Sequence, residues 1–252
     1  MHPVLSKTTH LILAGDIAGA ERALVEIAEE EGDHALVAVM DDLPAKDLVA
    51  ILREYDTSRV SVINLLVTPE QFARSVVLER KYAEPNFSRL HGMINSVVHK
   101  DHDEASAYLA KLVETHQGCE TLADYFTDYL EGFLCFTLEG VFVPEKYPDL
   151  PDESHYIPWL VNEIGLKEHL IFQTGQEAGP VMKRADAADG DWMETAWILR
   201  YEMQEGFEHV YFVIRDRILK ITTLADVPAS KPSPAVPAKE VEGDQDDEEL
   251  AI

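Results

Sequence analysis

Thr68-Pro69-Glu70-Gln71 decides how this chain is read. A threonine able to accept from a backbone N–H three residues on, a proline in the first helical position and a glutamine that can reach back to the threonine N–H make a capping box, and a capping box starts a helix. The same signals recur on both sides of it. Asp16 can cap a segment whose apolar residues Ile17, Ala20, Leu24, Ile27 and Ala28 return at helical spacing, and Gly32 offers a stop. Pro44 suits a first turn ahead of Leu48, Ile51 and Leu52, and Thr57 or Ser58 can cap Val60 to Leu66. Asn86 and Ser88 open a helix through Val98, and Asp103 starts one that ends near Gly118. Cys119 to Phe136 reads as one helix, and an aromatic stripe that includes Tyr125, Phe126, Tyr129 and Phe133 turns its apolar face into the core.

The pattern changes at Gly140. Pro144, Pro148, Pro151 and Pro158 make residues 141–158 an irregular connection or a subdomain boundary. Helices follow at about Trp159 to Ile164 and Trp192 to Gln204, around a glycine-broken stretch from Gln173 to Gly190. Phe207, Val210, Tyr211, Ile214, Ile218 and Ile221 favour a helix, with a small β-hairpin near residues 207–224 as the alternative. Four prolines between Pro228 and Pro237 define a stiff linker, and the acidic tail beyond has too few apolar residues to fold. The expected fold is mainly α, a helical-repeat-like or irregular multi-helix array. Its divisions are an acidic helical domain over residues 1–140, a mainly helical subdomain over 141–225 packed on it, and a disordered linker and tail over 226–252.

Pro44 and Pro69 each open a helix, and their quasi-regular spacing suggests stacked helical hairpins. The run Asp42-Leu43-Pro44-Ala45-Lys46-Asp47-Leu48-Val49-Ala50-Ile51-Leu52-Arg53, continued by Asp56-Thr57-Ser58-Arg59, resembles the superhelical N domain of MgtE-type magnesium transporters. That family repeats Leu-Pro-x-x-Asp-x-x-x-x-Leu-x-x-x-Asp units, and the resemblance covers residues 16–84. It implies a helical scaffold that regulates or docks, with no transport of its own, and it raises the idea of a module that responds to divalent cations.

Charge narrows the partner class. The 252 residues carry 47 Asp and Glu against 21 Lys and Arg, a net charge of −26. Residues 239–252 contribute six of those net charges, and the other twenty belong to residues 1–238. A field of this sign repels nucleic acid and anionic membranes and attracts basic protein faces. Apolar runs such as Val60 to Val67 fall short of the roughly 20 residues of a membrane helix. The N-terminal run Leu11-Ile12-Leu13-Ala14 is too short for a secretory leader. The expectation is a cytoplasmic protein without a membrane span. Cys119 and Cys135 form no CxxC pattern and read as buried small hydrophobes.

Candidate chemistry is sparse. His99-Lys100-Asp101-His102-Asp103-Glu104 is the densest group of potential ligands, with His91 two helical turns before His99. Imidazole and carboxylate together suit zinc, iron or manganese, so His99, His102, Asp103 and His91 are the metal candidates. A polar interhelical turn capped by Asp103 explains the same residues without a metal. His116 and Cys119 straddle a glycine, and Asp152-Glu153-Ser154-His155-Tyr156 lies in the proline-rich connection. Neither has the convergence from distant segments that a catalytic site needs. The chain lacks a phosphate loop, a nucleophile elbow and HExxH.

The sequence therefore reads as a non-enzymatic interaction scaffold or regulatory adaptor for a protein partner with a basic face, with no cofactor. The alternative is a metal-binding helical protein or metal-dependent enzyme holding a divalent ion in the His91, His99 and His102 region. Removal of residues 226–252 is expected to leave the thermal unfolding midpoint nearly unchanged, because that segment has few apolar side chains to bury; differential scanning calorimetry of the truncated and full chains checks this.

Overall fold

The computed structural model describes residues 2–55, 58–59, 61–82, 87–142, 161–162, 182–188 and 190–225. The proline-rich connection with Asp152 to Tyr156, the Trp159 helix apart from two residues, most of the glycine-broken stretch, and the linker and tail lie outside them.

Several helix starts trace to a local acceptor. Pro3 opens α1 (Pro3–Leu13), capped by His2 Nδ1, which accepts from Val4 N at 3.3 Å. Asp16 Oδ1 accepts from Gly19 N at 2.8 Å and starts α2 (Ile17–Glu31); Gly32, at φ 91°, ends it and begins α3 (Asp33–Asp42). Pro44 precedes α4 (Ala45–Leu52). α5 (Val62–Leu66) is capped by Ser61, whose hydroxyl accepts from Ile63 N at 3.1 Å, so the cap sits three residues later than Ser58. The capping box is present at α6 (Pro69–Tyr82): Thr68 Oγ1 accepts from Gln71 N at 3.3 Å and Gln71 Oε1 accepts from Thr68 N at 3.0 Å. The Gln71 amide also donates to Asp41 Oδ1 at 2.7 Å, which ties α6 to α3.

α7 (Ser88–Val98) and α8 (Ala105–Glu114) are joined by the turn that holds the histidine cluster. Asp103 does not cap α8. Its backbone N–H donates to Asp101 Oδ1 at 2.9 Å, closing a side-chain turn, and Glu104 stands at the helix start. The stretch from Cys119 to Phe136 is not one helix: α9 (Gly118–Tyr125) passes through a 3₁₀ turn, Phe126–Tyr129, into α10 (Leu130–Glu139). Thr127 Oγ1 donates back to Ala123 O at 3.1 Å within this segment, a bond that bends helices. α11 (Arg184–Ala187), α12 (Asp191–Glu202) and α13 (Gln204–Ala225) complete the described chain.

The final apolar run is therefore helix and not hairpin, and among the described residues there is no strand. Phe207, Val210, Tyr211, Ile214 and Ile218 are all buried, a stripe only helical spacing can place on one side, whereas Ile221 is exposed. No helix among the described residues is long and apolar enough to cross a membrane.

The architecture is a multi-helix array whose apolar faces share one cluster. α1 and α3 lie against α2, α4 and α8 against α6, and α13 against α9 and α12. An aromatic seam runs through it: Phe126 meets Phe133 at 4.6 Å between ring centroids, and Phe133 meets Phe207 of α13 at 5.3 Å. Such pairs add about 0.5–1.5 kcal/mol each beyond their buried area. Cys119 and Cys135 are both buried, and neither is in a disulfide. Among the described residues, four carboxylates are also buried. Asp47 accepts from Thr9 Oγ1 at 2.7 Å; Glu79 lies 3.9 Å from Arg53; Asp124 is held between Arg80 of α6 and Arg217 of α13; Glu194 belongs to the centre described next.

Gly118 opens α9 where a side chain has no room: a Cβ there would stand 1.7 Å from the Leu112 carbonyl oxygen of α8. Gly118→Ala is expected to destabilise the protein by about 1–3 kcal/mol, the usual range for overpacking a rigid contact, read as a lower urea midpoint.

Candidate functional site

The turn after α7 and the first turn of α12 meet around one carboxylate. Glu194, whose side chain is 3% exposed, receives three partners. Arg184 Nε donates to its Oε1 at 2.9 Å, His102 Nδ1 lies 3.1 Å from Oε1 and 3.0 Å from Oε2, and His99 Nδ1 lies 3.2 Å from Oε2. Arg184 Nη2 also donates to the His102 carbonyl at 2.6 Å, so one guanidinium holds both the carboxylate and the turn. Glu194 sits one side chain below the surface, because His102 beside it is 66% exposed.

Burial acts to raise the Glu194 carboxyl's pKa. Hydrogen bonds from His102 and Arg184 and the charge of the two imidazoles outweigh it and hold the group below its ordinary value. His99 is shifted the other way: burial lowers its pKa, against the pull of Asp191 and Glu194. Its ring is 5% exposed, and its Nδ1 is buried without a hydrogen bond, since the contact to Glu194 is close but misaligned.

Behind His99 a chain of contacts runs inward: Tyr125 Oη donates to Asn95 Oδ1 at 2.7 Å, the Thr195 hydroxyl bonds to the Tyr125 oxygen, and Thr195 Oγ1 lies 3.0 Å from His99 Nε2. With Nε2 tied to Thr195, Nδ1 is the ring nitrogen that faces Glu194.

Of the four metal candidates, the structure brings His99 and His102 together and adds Glu194; the three ligand atoms lie within 4.8 Å of one another. Asp103 is exposed in the side-chain turn. His91 is held elsewhere: its Nε2 donates to Tyr125 O at 2.9 Å, Asp128 Oδ2 lies 3.7 Å from Nδ1, and its ring stacks on Tyr129. Burial lowers its pKa against the Asp128 charge. Lys100 turns away from the cluster and donates to Leu65 O at 2.6 Å and Tyr108 Oη at 2.7 Å, closing the end of α5. His116 is exposed while Cys119 is buried, and burial pushes the Cys119 thiol up to about 11, the reverse of nucleophile activation.

A second feature lies where α8 faces the corner between α12 and α13. Glu114, Glu202, Glu205 and Glu208 line an open groove of about 590 Å³ together with Val113 and Met203. Gly206 brings α13 close to α8 here: a Cβ on it would meet Val113 Cγ1 at 2.7 Å.

Comparison of the chain with protein-family models, curated proteins and solved structures gives no match.

Arg184→Met keeps the bulk of the side chain and removes the permanent charge from Glu194. The expected loss is about 2–3 kcal/mol in urea unfolding, below the 3–5 typical of breaking a buried pair, because His102 still donates to the carboxylate.

Proposed function

We propose that this chain is a non-enzymatic interaction protein, a helical scaffold or adaptor that receives a basic, amphipathic segment of a partner protein in the groove between α8 and the α12–α13 corner. The groove carries the reading. Its lining combines four glutamates with Val113 and Met203, which matches a segment with lysines or arginines flanking a short apolar strip. Its size falls within the range of binding clefts, and its open form suits a peptide backbone better than an enclosed small molecule. The net charge of −26 adds long-range attraction that brings such a segment in quickly and loses strength as salt rises. The tie of His91 Nε2 to the Tyr125 carbonyl and the burial that keeps the Cys119 thiol protonated support a role without bond-making. A cytoplasmic setting and a basic partner face belong to the same proposal.

The test is a titration with a fluorescent helix-forming peptide bearing lysines on one side and leucines on the other, against the full chain and Glu114→Lys/Glu205→Lys/Glu208→Lys. Saturable binding that weakens at least about tenfold in the variant and again in high salt is the expected result. Equal binding by both proteins removes the groove as the docking face.

A further inference from the structure

We propose that His99 Nδ1, His102 Nδ1 and Glu194 Oε2 form a binding site for a divalent transition metal ion of the zinc class, the ion taking the place of the hydrogen that His102 Nδ1 otherwise directs at the carboxylate, so that binding leaves each ring neutral with its hydrogen on Nε2. His99 Nδ1 faces the Glu194 carboxylate, buried, 3.2 Å away and without a well-aligned hydrogen bond, while its other ring nitrogen is tied to Thr195. His102 Nδ1 stands on the same carboxylate, and the three ligand atoms lie within 4.8 Å of one another. A cation placed between them turns all three groups into ligands. The contact from Nε2 to Thr195 is the outer bond that orients a metal-bound imidazole.

The spacing agrees with coordination. Glu194 Oε2 lies 3.2 Å from His99 Nδ1 and 3.0 Å from His102 Nδ1. In a tetrahedral zinc site with bonds of about 2.0–2.1 Å, neighbouring ligand atoms stand about 3.4 Å apart, so the two Glu194 contacts need to open by only a few tenths of an ångström, and all three ligand atoms already lie within 4.8 Å of one another. Arg184 is compatible with the ion: it occupies Oε1, leaves Oε2 to the metal, and holds the carboxylate and the His102 backbone from behind. Two imidazoles and one carboxylate suit zinc better than calcium or magnesium, which prefer all-oxygen shells. The exposed His102 side gives the ion an entry path and leaves the fourth position to water. The ligands come from the end of α7, the following turn and the first turn of α12, so the bound ion clamps segments more than ninety residues apart in sequence.

The full chain, stripped with a chelator, is titrated with zinc chloride by calorimetry and with cobalt(II) by visible absorption. The expected result is one ion per chain, a raised thermal midpoint and the intense absorption bands of four-coordinate cobalt. His102→Ala, at a mostly exposed position that keeps the fold, weakens zinc binding by at least about tenfold, the lower end of what even outer-contact losses produce. Glu194→Gln does the same, and His116→Ala, remote and exposed, leaves affinity unchanged. Absence of saturable binding overturns the site. So does zinc bound with unaltered affinity by His102→Ala and Glu194→Gln, which assigns the ions to surface carboxylates. Either result is independent of peptide binding in the groove, which is read with a different probe and different residues.

Discussion

Asp124 is the interaction on which the arrangement of helices depends. Its carboxylate sits in α9, and its two partners arrive from either side of it in sequence, Arg80 from α6 and Arg217 from α13. A carboxylate without water around it destabilises the fold unless cations meet it, and removing either arginine would leave charge buried and undercompensated. The contact thus selects one register of α6 and α13 against α9. Non-directional burial of Leu122 and Phe126 would not make that selection.

The same demand recurs and reshapes the electrostatics. Arg53 is drawn toward buried Glu79, Arg184 toward Glu194, and Lys100 toward the carbonyls that end α5. Arg200 lies over the Phe136 ring, and burial lowers its pKa. A chain with 21 basic residues sends several of them inward, so its outer face is more one-signed than composition indicates. Arg184 also joins the two candidate sites. It reaches Glu194 at the start of α12 and, at 3.6 Å, Glu202 two turns later in the groove lining. An ion at the histidine centre and a basic segment in the groove would therefore act on the two ends of one guanidinium's reach.

Most of the helical order was legible in local chemistry. The Thr68–Gln71 box, the Asp16 cap and the Gly32 stop are satisfied by atoms within four residues of each other, and local signals survive folding. What escaped depends on contacts distant in sequence. The break between α9 and α10 sits where Trp192 packs against Gly132 and Tyr129, which periodicity cannot report. Ser61 takes the cap ahead of Ser58, and its hydroxyl also donates to Glu21 of α2 at 2.8 Å. The histidine cluster was visible, but its carboxylate partner was not: Glu194 lies 92 residues from His102, and Asp103 and His91 offered nearer alternatives. One signal did exist. Glu194 falls four residues before Ile198, on the apolar side of its helix, and an acid there asks for a partner.

Trp192 carries a consequence of its own. Its indole lies parallel to the Tyr129 ring at 4.8 Å between centroids, over Gly132 and edge-on to Phe142. It is also two residues before Glu194, in the same helical turn. Any rotation of that turn would tilt the indole against the phenol it covers, so a shift of the buried carboxylate would be passed on to one of the chain's three tryptophans, where light can read it.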